Sequence, residues 1–560
     1  MSKYPFSENS EINEMLNYVV KKIQSLTDQQ INHIRKLTHI GEALSSENDL
    51  DRIFDLILEE CLDYTHADGA TIYTLSTNKM NLDFKVVYNR SLGLHMGGTH
   101  GTIAWPSIPL FEKDGSPRLK NMVTYVYHTK QSQCFDDIYN QSIIDISGTR
   151  QRDTLNKYRS KSMLAFPLKN HEDEVLGVIQ LINAQTKRGK ITAFTPEHIA
   201  MLNSMASQAA IALSNKKLIQ DLEKLLHQFI QAIASALDHK SKYTGGHITR
   251  VATLTEMFAK KINQTTKGYF GKLHFSQDEL EEISISGWMH DIGKIVTPEH
   301  IMDKSTKLET IEDRIEKVRL RFELMEMAIQ REINTLSENG KAADNKKQIQ
   351  KLNEYIKQNS DDLKFIEMIN DTEEFLTDDD RFRINRIADF KIKLGGKHYI
   401  LINEDERNNL LIQKGTLSSH EIQKMQDHVS VTWDMLSRLS FPKKFSHVPL
   451  YASTHHEKLN GSGYPFAISG DKIPLQGRII ALSDIFEALT AADRPYKKPK
   501  TLSEAIHILA TMAKNNEIDK DLLDFLLDSG MYKEYGEMFL PKKLLDTVDI
   551  PKMKKIYHSS

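Results

Sequence analysis

The chain has 560 residues and a formal net charge of −3, from 73 basic and 76 acidic residues. This length accommodates about three domains, and the balanced charge argues against a nucleic-acid or anionic-membrane partner. Two cysteines, Cys61 and Cys134, are too few for a disulfide framework or a cysteine zinc site. With no signal-peptide pattern and no bilayer-length apolar run, the sequence predicts a cytoplasmic protein.

The first half of the chain predicts a helical segment followed by a mixed α/β domain. Residues 1–45 form the N-terminal segment, a helix that is polar on most of its faces. Residues 46–216 form the α/β domain, because several runs rich in β-branched and aromatic residues predict strands. These runs lie at 70–75, 84–88, 162–168 and 175–184, the last two as a hairpin around a polar turn. A long helix begins near Pro196.

The segment 217–237 continues this helix with apolar residues in a heptad pattern. The pattern consists of Leu218, Leu222, Leu225, Phe229, Ala232 and Ala236. Steps of four and three residues place one apolar stripe along one helix face and favour a parallel coiled coil in a homodimer. Packing against the chain's own core is the alternative.

Residues 238–560 predict a helical domain with an inserted antiparallel helical hairpin at 303–396. Within the insertion, apolar residues recur every three or four positions among charged residues, and a polar turn separates two helices. The run 414–421 continues the loop that Lys304 begins. The insertion contains no histidine, so we expect a structural arm or a surface for a protein partner rather than metal chemistry.

Outside the insertion, five histidines and two aspartates alternate with apolar helical runs. Burying adjacent His-Asp and His-His pairs without a metal would leave several polar groups unpaired, at about 1–3 kcal/mol each. Imidazole and carboxylate ligands suit iron, manganese or zinc, and Asp291 can bridge two ions. Two ions about 3.5–4 Å apart can activate water and stabilise phosphoryl displacement. The seven candidates are His247, His290, Asp291, His428, His455, His456 and Asp484.

Three motifs, HDIGK, HHEKLNGSGYP and DRPYKK, resemble those of the HD-GYP branch of the HD superfamily of metal-dependent phosphohydrolases. The resemblance covers 230–302 and 400–560. It implies an all-α bundle that opens cyclic di-GMP to pGpG, and in some members continues to GMP, with two divalent ions, iron or manganese. It also implies that the seven candidates bind metal, with Asp291 and Lys294 in catalysis. The implied substrate contacts are Lys294, Arg494 and Lys497 for phosphate, and Gly463, Tyr464 and Pro465 as a wall.

Elementary chemistry agrees with some of these roles. Lys294 lies one helical turn after His290, so its ammonium falls beside the metals, and Arg494 offers a planar fork for phosphate, with a surface salt bridge as the alternative. Glu457 is expected to orient a ligand rather than to bind metal. Some members hold a third ion through a glutamate one turn before the first ligand; Tyr243 occupies that position, which predicts two ions.

The α/β domain resembles a GAF domain, which makes the whole chain a multidomain α+β protein. The Asn-Lys pair of cyclic-nucleotide-binding GAF domains is incomplete, because Ala184 follows Asn183. The ligand of this domain is therefore left open, with a purely structural role as the alternative. Haem or metal binding is a further alternative, based on His66, His95, His100 and Cys134.

Two other functions remain open from the sequence. The first keeps the chemistry but changes the substrate to cyclic GMP-AMP, since few residues decide base recognition. The second is a non-catalytic receptor for cyclic di-GMP that signals through the helical arm. The complete ligand set favours an enzyme.

Overall fold

The computed structural model describes residues 9–47, 49–240, 245–338, 343–372, 374–394, 396–492 and 499–558. It contains two compact units, Met1–Leu225 and Leu226–Ser560. Sheet and helix in the first unit and mostly helix in the second make the fold multidomain α+β, as predicted. Among the described helices, none has both the length and the apolar character that a membrane span requires.

The first unit is built on an antiparallel sheet. Its helices are α1 (Ser10–Ser46), α2 (Leu50–Thr65), α3 (Met122–Thr129), α4 (Ser147–Asn156) and the first part of α5 (Pro196–Lys240). The strands are β1 (Gly69–Leu75), β2 (Asn81–Asn89), β3 (Leu94–Gly97), β4 (Ile108–Pro109), β5 (Gln133–Phe135), β6 (Met163–Lys169) and β7 (Val175–Ile182). The strand order is β3-β2-β1-β7-β6-β5, and β4 pairs with β2. The predicted hairpin is confirmed, with Met163 opposite Ile182.

Alternation along the strands builds a core on each face of the sheet. In β1, Ile72 packs with α2 and the start of α5, whereas Tyr73 faces the second core, which includes α3. In β7, Ile179 and Val178 divide between the same two cores. Both faces of the central strands are therefore buried.

The second unit is a bundle of helices. It contains the end of α5, then α6 (His247–Gln264), α7 (Gln277–Met289) and α8 (Glu299–Met302). After an inserted arm, it continues with α13 (Ser419–Ser437), α14 (Val448–Ser453), α15 (Leu475–Thr490), α16 (Leu502–Lys514), α17 (Lys520–Asp528), α18 (Met531–Phe539) and α19 (Ile550–His558). A core of aliphatic and aromatic residues from α6, α15, α16 and α17 holds the bundle together.

The inserted arm consists of α9 (Ile315–Glu338), α10 (Ala343–Asp371), α11 (Asp378–Asp389), β8 (Lys391–Leu394), β9 (Lys397–Ile400) and α12 (Glu404–Leu410). The two long helices are antiparallel, since Arg319 contacts Glu367 while Phe322 contacts Asn359. The arm differs from the simple hairpin predicted at 303–396, because its buried core runs on through Leu410.

The two ends of the arm meet where the loop at 414–421 was expected to continue. Lys304 Nζ lies 2.8 Å from Glu421 Oε2, and the Thr416 hydroxyl donates to the Lys304 carbonyl over 3.1 Å. Glu421 also caps the start of α13 together with Ser418. These contacts join the two ends of the arm at the start of α13.

Candidate functional site

All seven predicted metal-ligand residues converge in the second unit. His247 begins α6, His428 lies in α13 and Asp484 lies in α15. His290 and Asp291 follow α7, at the turn into a 3₁₀ segment, Ile292–Val296. His455 and His456 follow α14. Donor atoms of three overlapping groups lie within 4.8 Å of one another: His247, His290 and Asp484; His290, Asp291 and His455; and His428, His455 and His456.

Asp291 lies between two sets of imidazoles, with one carboxylate oxygen toward each. Its Oδ2 is 3.3 Å from Nε2 of both His247 and His290. Its Oδ1 is 3.3 Å from Nε2 of His428 and 3.9 Å from Nε2 of His455. Asp291 is 1% exposed, so its charge must be satisfied inside the protein. This is the arrangement expected of a carboxylate shared by two ions.

Backbone carbonyls fix the tautomers of three of these histidines. Nδ1 of His290, His428 and His455 faces a carbonyl that can only accept, so each Nδ1 carries the proton and donates it. Each Nε2 therefore presents a lone pair toward Asp291. The acceptors are the carbonyls of Gly287, at 2.8 Å, of Met425, and of Ala452, at 2.6 Å.

A carboxylate performs the same task for His247. Its Nδ1 lies 2.5 Å from Glu487 Oε2, and Nε of Arg250 donates to Glu487 Oε1 over 2.8 Å. Glu487 is fully buried and sits one turn after Asp484 on α15. The sequence analysis missed Glu487, although the three-residue spacing from Asp484 was a signal that both carboxylates share one helix face.

The buried polar atoms test whether the residues fit a metal. Within the described residues, Asp291 Oδ1 and the Nε2 atoms of His247, His290, His428 and His455 are buried and make no hydrogen bond. The 3.3 Å contacts around Asp291 lack hydrogen-bond direction. Leaving such groups unmet costs about 1–3 kcal/mol each, and divalent cations accept these lone pairs. The residues therefore fit a metal centre.

The charges around the site keep its donors in the forms that metals need. Burial lowers the pKa of His456 to about 4, with His428 and Lys294 acting in the same direction. Burial also lowers the pKa of His455 well below its ordinary value. Burial alone would raise the pKa of Asp291, but Lys294 and His290 outweigh it and hold that pKa well below its ordinary value.

The pKa of His247 is shifted in the opposite direction from those of His455 and His456. Burial would lower its pKa, but Glu487, Asp291 and Asp484 outweigh burial and raise that pKa well above its ordinary value. A positive charge is thus favoured where its Nε2 points. A cation bound at Nε2 would satisfy the same carboxylates as the proton does.

Close packing of glycine holds the HD turn against α13. A Cβ on Gly293 would lie 1.9 Å from the carbonyl oxygen of His428. The amide of Gly293 donates to the Thr432 hydroxyl over 3.0 Å, and that hydroxyl donates to the His290 carbonyl over 3.2 Å. Only glycine permits this approach, which places His290 and His428 on opposite sides of Asp291.

The GYP loop is anchored beside the second imidazole set. The ring of Tyr464 stacks on His456, with centroids 4.8 Å apart and planes 21° apart. Gly463 packs onto the backbone, since a Cβ there would lie 2.4 Å from Lys458 N. Glu457 accepts from the amides of Phe466 and Ile468. Glu457 thus orients the loop that contains Pro465. The sequence had predicted that it orients a metal ligand instead.

The predicted phosphate contacts are only partly described. Lys294 Nζ lies 2.5 Å from Asp291 Oδ2, and its side chain is 21% exposed, which places an ammonium at the mouth of the site. Arg494 and Lys497 lie outside the described residues, and so does Tyr243. Their predicted roles stay predictions.

Asp238, two residues before the end of α5, contacts the segment that contains His247, the first predicted ligand. Its carboxylate accepts from the amides of Gly246, at 3.1 Å, and Ile248, at 3.4 Å. It therefore caps the beginning of α6 around His247.

A second cluster of metal-binding residue types lies in the first unit. Asp55, His95 and His100 offer donor atoms within 4.8 Å of one another; His66 and Cys134 are not in this group. The two exposed rings stack, with centroids 3.5 Å apart and planes 24° apart. Stacked rings cannot both aim in-plane lone pairs at one ion about 2.0–2.1 Å away, so the arrangement favours ring packing over a metal site.

The first unit also holds a cavity of about 560 Å³, a volume typical of small-molecule sites. It lies on the sheet face away from α2, and its lining includes Tyr73, Trp105, Arg152 and Gln180. The Tyr73 hydroxyl donates to Gln180 across neighbouring strands, over 3.1 Å. A lining of aromatic side chains with a few polar groups is typical of small-molecule sites.

Comparisons with known proteins match both units. The GAF domain model matches residues 49–213, and two HD domain models match 244–369 and 405–522. The gap between the two HD matches lies within the arm.

Three curated relatives illustrate the similarity. They are "3'3'-cGAMP-specific phosphodiesterase 2" of Vibrio cholerae, 38% identical over 22% of this chain and 23% of the relative; "Cyclic di-GMP phosphodiesterase response regulator RpfG" of Xanthomonas campestris, 38% over 18% and 26%; and "Cyclic di-GMP phosphodiesterase" of Thermotoga maritima, 35% over 19% and 28%. The chain spans about a quarter of the length of these relatives. The HD and GYP motifs of this chain resemble those of the HD-GYP branch, and a GAF domain match precedes the two HD domain matches along the sequence.

Proposed function

We propose that the chain is a metal-dependent phosphodiesterase that hydrolyses cyclic di-GMP to linear pGpG, with GMP as the product of any second cut. One observation carries this proposal. Four imidazole Nε2 atoms, buried and without hydrogen bonds in the described residues, surround the two oxygens of Asp291. A shared carboxylate between two imidazole sets, beside an ammonium, suits cleavage of a phosphodiester.

The seven ligands would hold two divalent ions, iron or manganese, divided by Asp291. His247, His290 and Asp484 lie on the Oδ2 side, whereas His428, His455 and His456 lie toward Oδ1. When bound, the ions supply an activated water and stabilise negative charge on the phosphoryl oxygens. Asp291 keeps both sites in register and Glu487 orients His247.

The protein's own groups bind and orient the substrate. Lys294 places an ammonium beside Asp291, where it attracts the phosphate and offsets its charge in the transition state. Tyr464, stacked on His456, offers a flat wall next to the metal ligands, and Gly463 and Pro465 shape its loop. Arg494 and Lys497 are proposed as further phosphate ligands on the strength of the motif alone.

Cyclic GMP-AMP is the second candidate substrate. A relative whose name specifies 3'3'-cGAMP is as similar to this chain as the relatives named for cyclic di-GMP. Both substrates have the same phosphodiester ring, so the metal centre does not separate them. Residues that contact the bases would decide.

We also propose that the GAF domain regulates the reaction in a cytoplasmic homodimer. The cavity of about 560 Å³ would hold its signal. On α5, the predicted heptad residues are exposed in the described chain, Leu222 and Phe229 among them, and a second copy would cover them. On the arm, Leu320, Leu324 and Met327 form a separate exposed apolar row, which would suit a protein partner.

Turnover by anaerobically purified protein tests the proposal. The protein, loaded with manganese or iron(II), is incubated with cyclic di-GMP, 3'3'-cyclic GMP-AMP and cyclic di-AMP, and products are separated by chromatography. We expect pGpG from cyclic di-GMP. Preferred hydrolysis of cyclic GMP-AMP would select the second candidate, whereas tight binding of cyclic di-GMP without turnover by any loaded form would indicate a receptor.

A further inference from the structure

One side chain connects the last turn of α5 to the catalytic turn, the 3₁₀ segment Ile292–Val296 that follows Asp291. Lys240, the final residue of α5, donates to the carbonyls of Lys294, at 3.1 Å, Ile295, at 2.5 Å, and Thr297, at 2.8 Å. An ammonium has three hydrogens, and three acceptors are present. The carbonyls lie at the end of a 3₁₀ segment, where backbone acceptors favour a cation, and the Lys294 carbonyl also accepts from the Thr297 amide, over 3.1 Å.

This segment also carries the proposed phosphate-binding group. Lys294 belongs to it, and the Lys294 amide donates to the Asp291 carbonyl over 2.9 Å. The position of the Lys294 ammonium therefore depends on the backbone that Lys240 holds. Lys240 is not placed to touch substrate, because its donors are directed to backbone carbonyls.

The same end of α5 is rigidly built into the bundle. Ile230, Ala234 and Leu237 are buried in one cluster with Met289 and Ile292, the residues that flank His290 and Asp291. Asp238, two residues before Lys240, caps the segment around His247. A displacement of the last turn of α5 by about 1–2 Å, typical of helix shifts, would thus also displace the catalytic turn.

We propose that Lys240 is a positioning residue that sets the placement of Lys294. Through Lys240, the position of the last turn of α5 controls substrate binding. The inference rests on the proposed function, in which Lys294 binds phosphate. Since α5 runs continuously from Pro196 to Lys240, a shift of its last turn moves the Lys240 ammonium. Loss of these contacts would loosen the catalytic turn while leaving the ligands of the metals in place.

Three variants of the full-length protein test this role. Lys240→Met keeps the length of the side chain but removes its donors, Lys240→Arg keeps a cationic donor, and Lys224→Met removes an exposed lysine elsewhere on the same helix. We measure kcat and KM for cyclic di-GMP, metal content, and amide hydrogen exchange of the peptide that covers 292–297.

We expect Lys240→Met to raise KM about tenfold, the effect of a weakened charged contact, with metal content and kcat close to wild type. Hydrogen exchange at 292–297 should accelerate about tenfold. Lys240→Arg should recover most of both effects, and Lys224→Met should behave as wild type. Unchanged exchange in Lys240→Met, or a loss of metal that accounts for the lost activity, would overturn the proposal.

Hydrogen exchange separates this inference from the proposed function. If wild-type protein hydrolyses no cyclic dinucleotide, the proposed function fails, yet exchange still reports whether Lys240 holds the turn. If wild type is active and the Lys240→Met variant has normal KM, only the inference about Lys240 fails.

Discussion

Nδ1 of His247 lies 2.5 Å from Glu487 Oε2, so a carboxylate outside the predicted ligand set fixes the orientation of the first predicted ligand. Arg250 holds the other oxygen of Glu487. Burial would raise the pKa of Glu487, but His247 and Arg250 outweigh it and lower that pKa. The three side chains form a carboxylate–histidine relay that ends at the proposed metal.

We expect Glu487→Gln to weaken metal binding about ten- to hundredfold, the usual effect of removing such a partner. Equilibrium dialysis against manganese measures it, with Glu534→Gln, an exposed position on α18, as the control. Thermal unfolding without metal reports separately on folding. An affinity within twofold of wild type would show that Glu487 does not support the ligand.

The relation of Glu487 to the motifs shows what the sequence could predict. Histidine and aspartate pairs identified the side chains that the fold brings together, because their chemistry is visible in residue identity alone. Glu487 lies in a run of ordinary helical sequence, and its role depends on which face of α15 meets α6. That packing is a property of the tertiary structure. The spacing from Asp484 indicated only that both carboxylates lie on the same face of α15.

Two other differences have local causes. The sequence KIKLGGKHYI alternates around a Gly-Gly pair, a hairpin signal that the helical pattern of the arm obscured, and it forms β8 and β9. In α1, which looked polar on most faces, Ile12, Leu16, Val19 and Ile23 form an exposed apolar stripe at heptad spacing. Only solvent exposure in the folded chain distinguishes such a stripe from a core face.

We expect Asp291→Ala to abolish hydrolysis, with kcat lower by about a thousandfold or more, and to reduce metal content. The physical reason is that both imidazole sets share this carboxylate. Activity assays and elemental analysis provide the measurements, and Asp434→Ala, exposed on α13, is the matched control. Full metal content together with full activity in the variant would remove the basis of the mechanism.

We expect two metal ions per chain. Asp291 lies between the six other predicted ligands, three on each side, which suits two ions. Tyr243, in place of a carboxylate, is a poor ligand for a third. With two ions, the first cut of the ring should be faster than the second, so pGpG should accumulate. Elemental analysis of anaerobic protein and chromatography of products test both statements; a reproducible ratio near three would contradict the first.

We expect Gly463→Ala to raise KM with little loss of metal. The new Cβ would lie 2.4 Å from Lys458 N and 2.6 Å from the His456 carbonyl oxygen, and backbone atoms cannot move aside cheaply. The loop must shift and carry Tyr464 off His456. Steady-state kinetics and metal analysis distinguish this from collapse of the centre. Gly148→Ala, where a Cβ meets nothing within 4 Å, is the control, and an unchanged KM would show that the loop does not contact substrate.

Activity should depend on the helical phase of α5. Leu218, Leu222 and Leu225 are exposed in the described chain, and a coiled coil with a second copy would bury them. One residue inserted after Leu225 rotates everything beyond it by about 100°, whereas seven residues nearly restore the phase. We expect the first insertion to change basal activity several-fold and the second to leave it near wild type.

The oligomeric state provides the complementary measurement for this last prediction. Leu222→Glu places a charge in the apolar stripe and should shift the protein from dimer to monomer in sedimentation, because like charges would face each other across the interface. Gln220→Glu adds the same charge on the opposite side of α5, at an exposed position, and should leave the dimer intact. If both variants remain dimeric and both insertions keep wild-type activity, α5 neither dimerises through this stripe nor relays its phase to the HD domain.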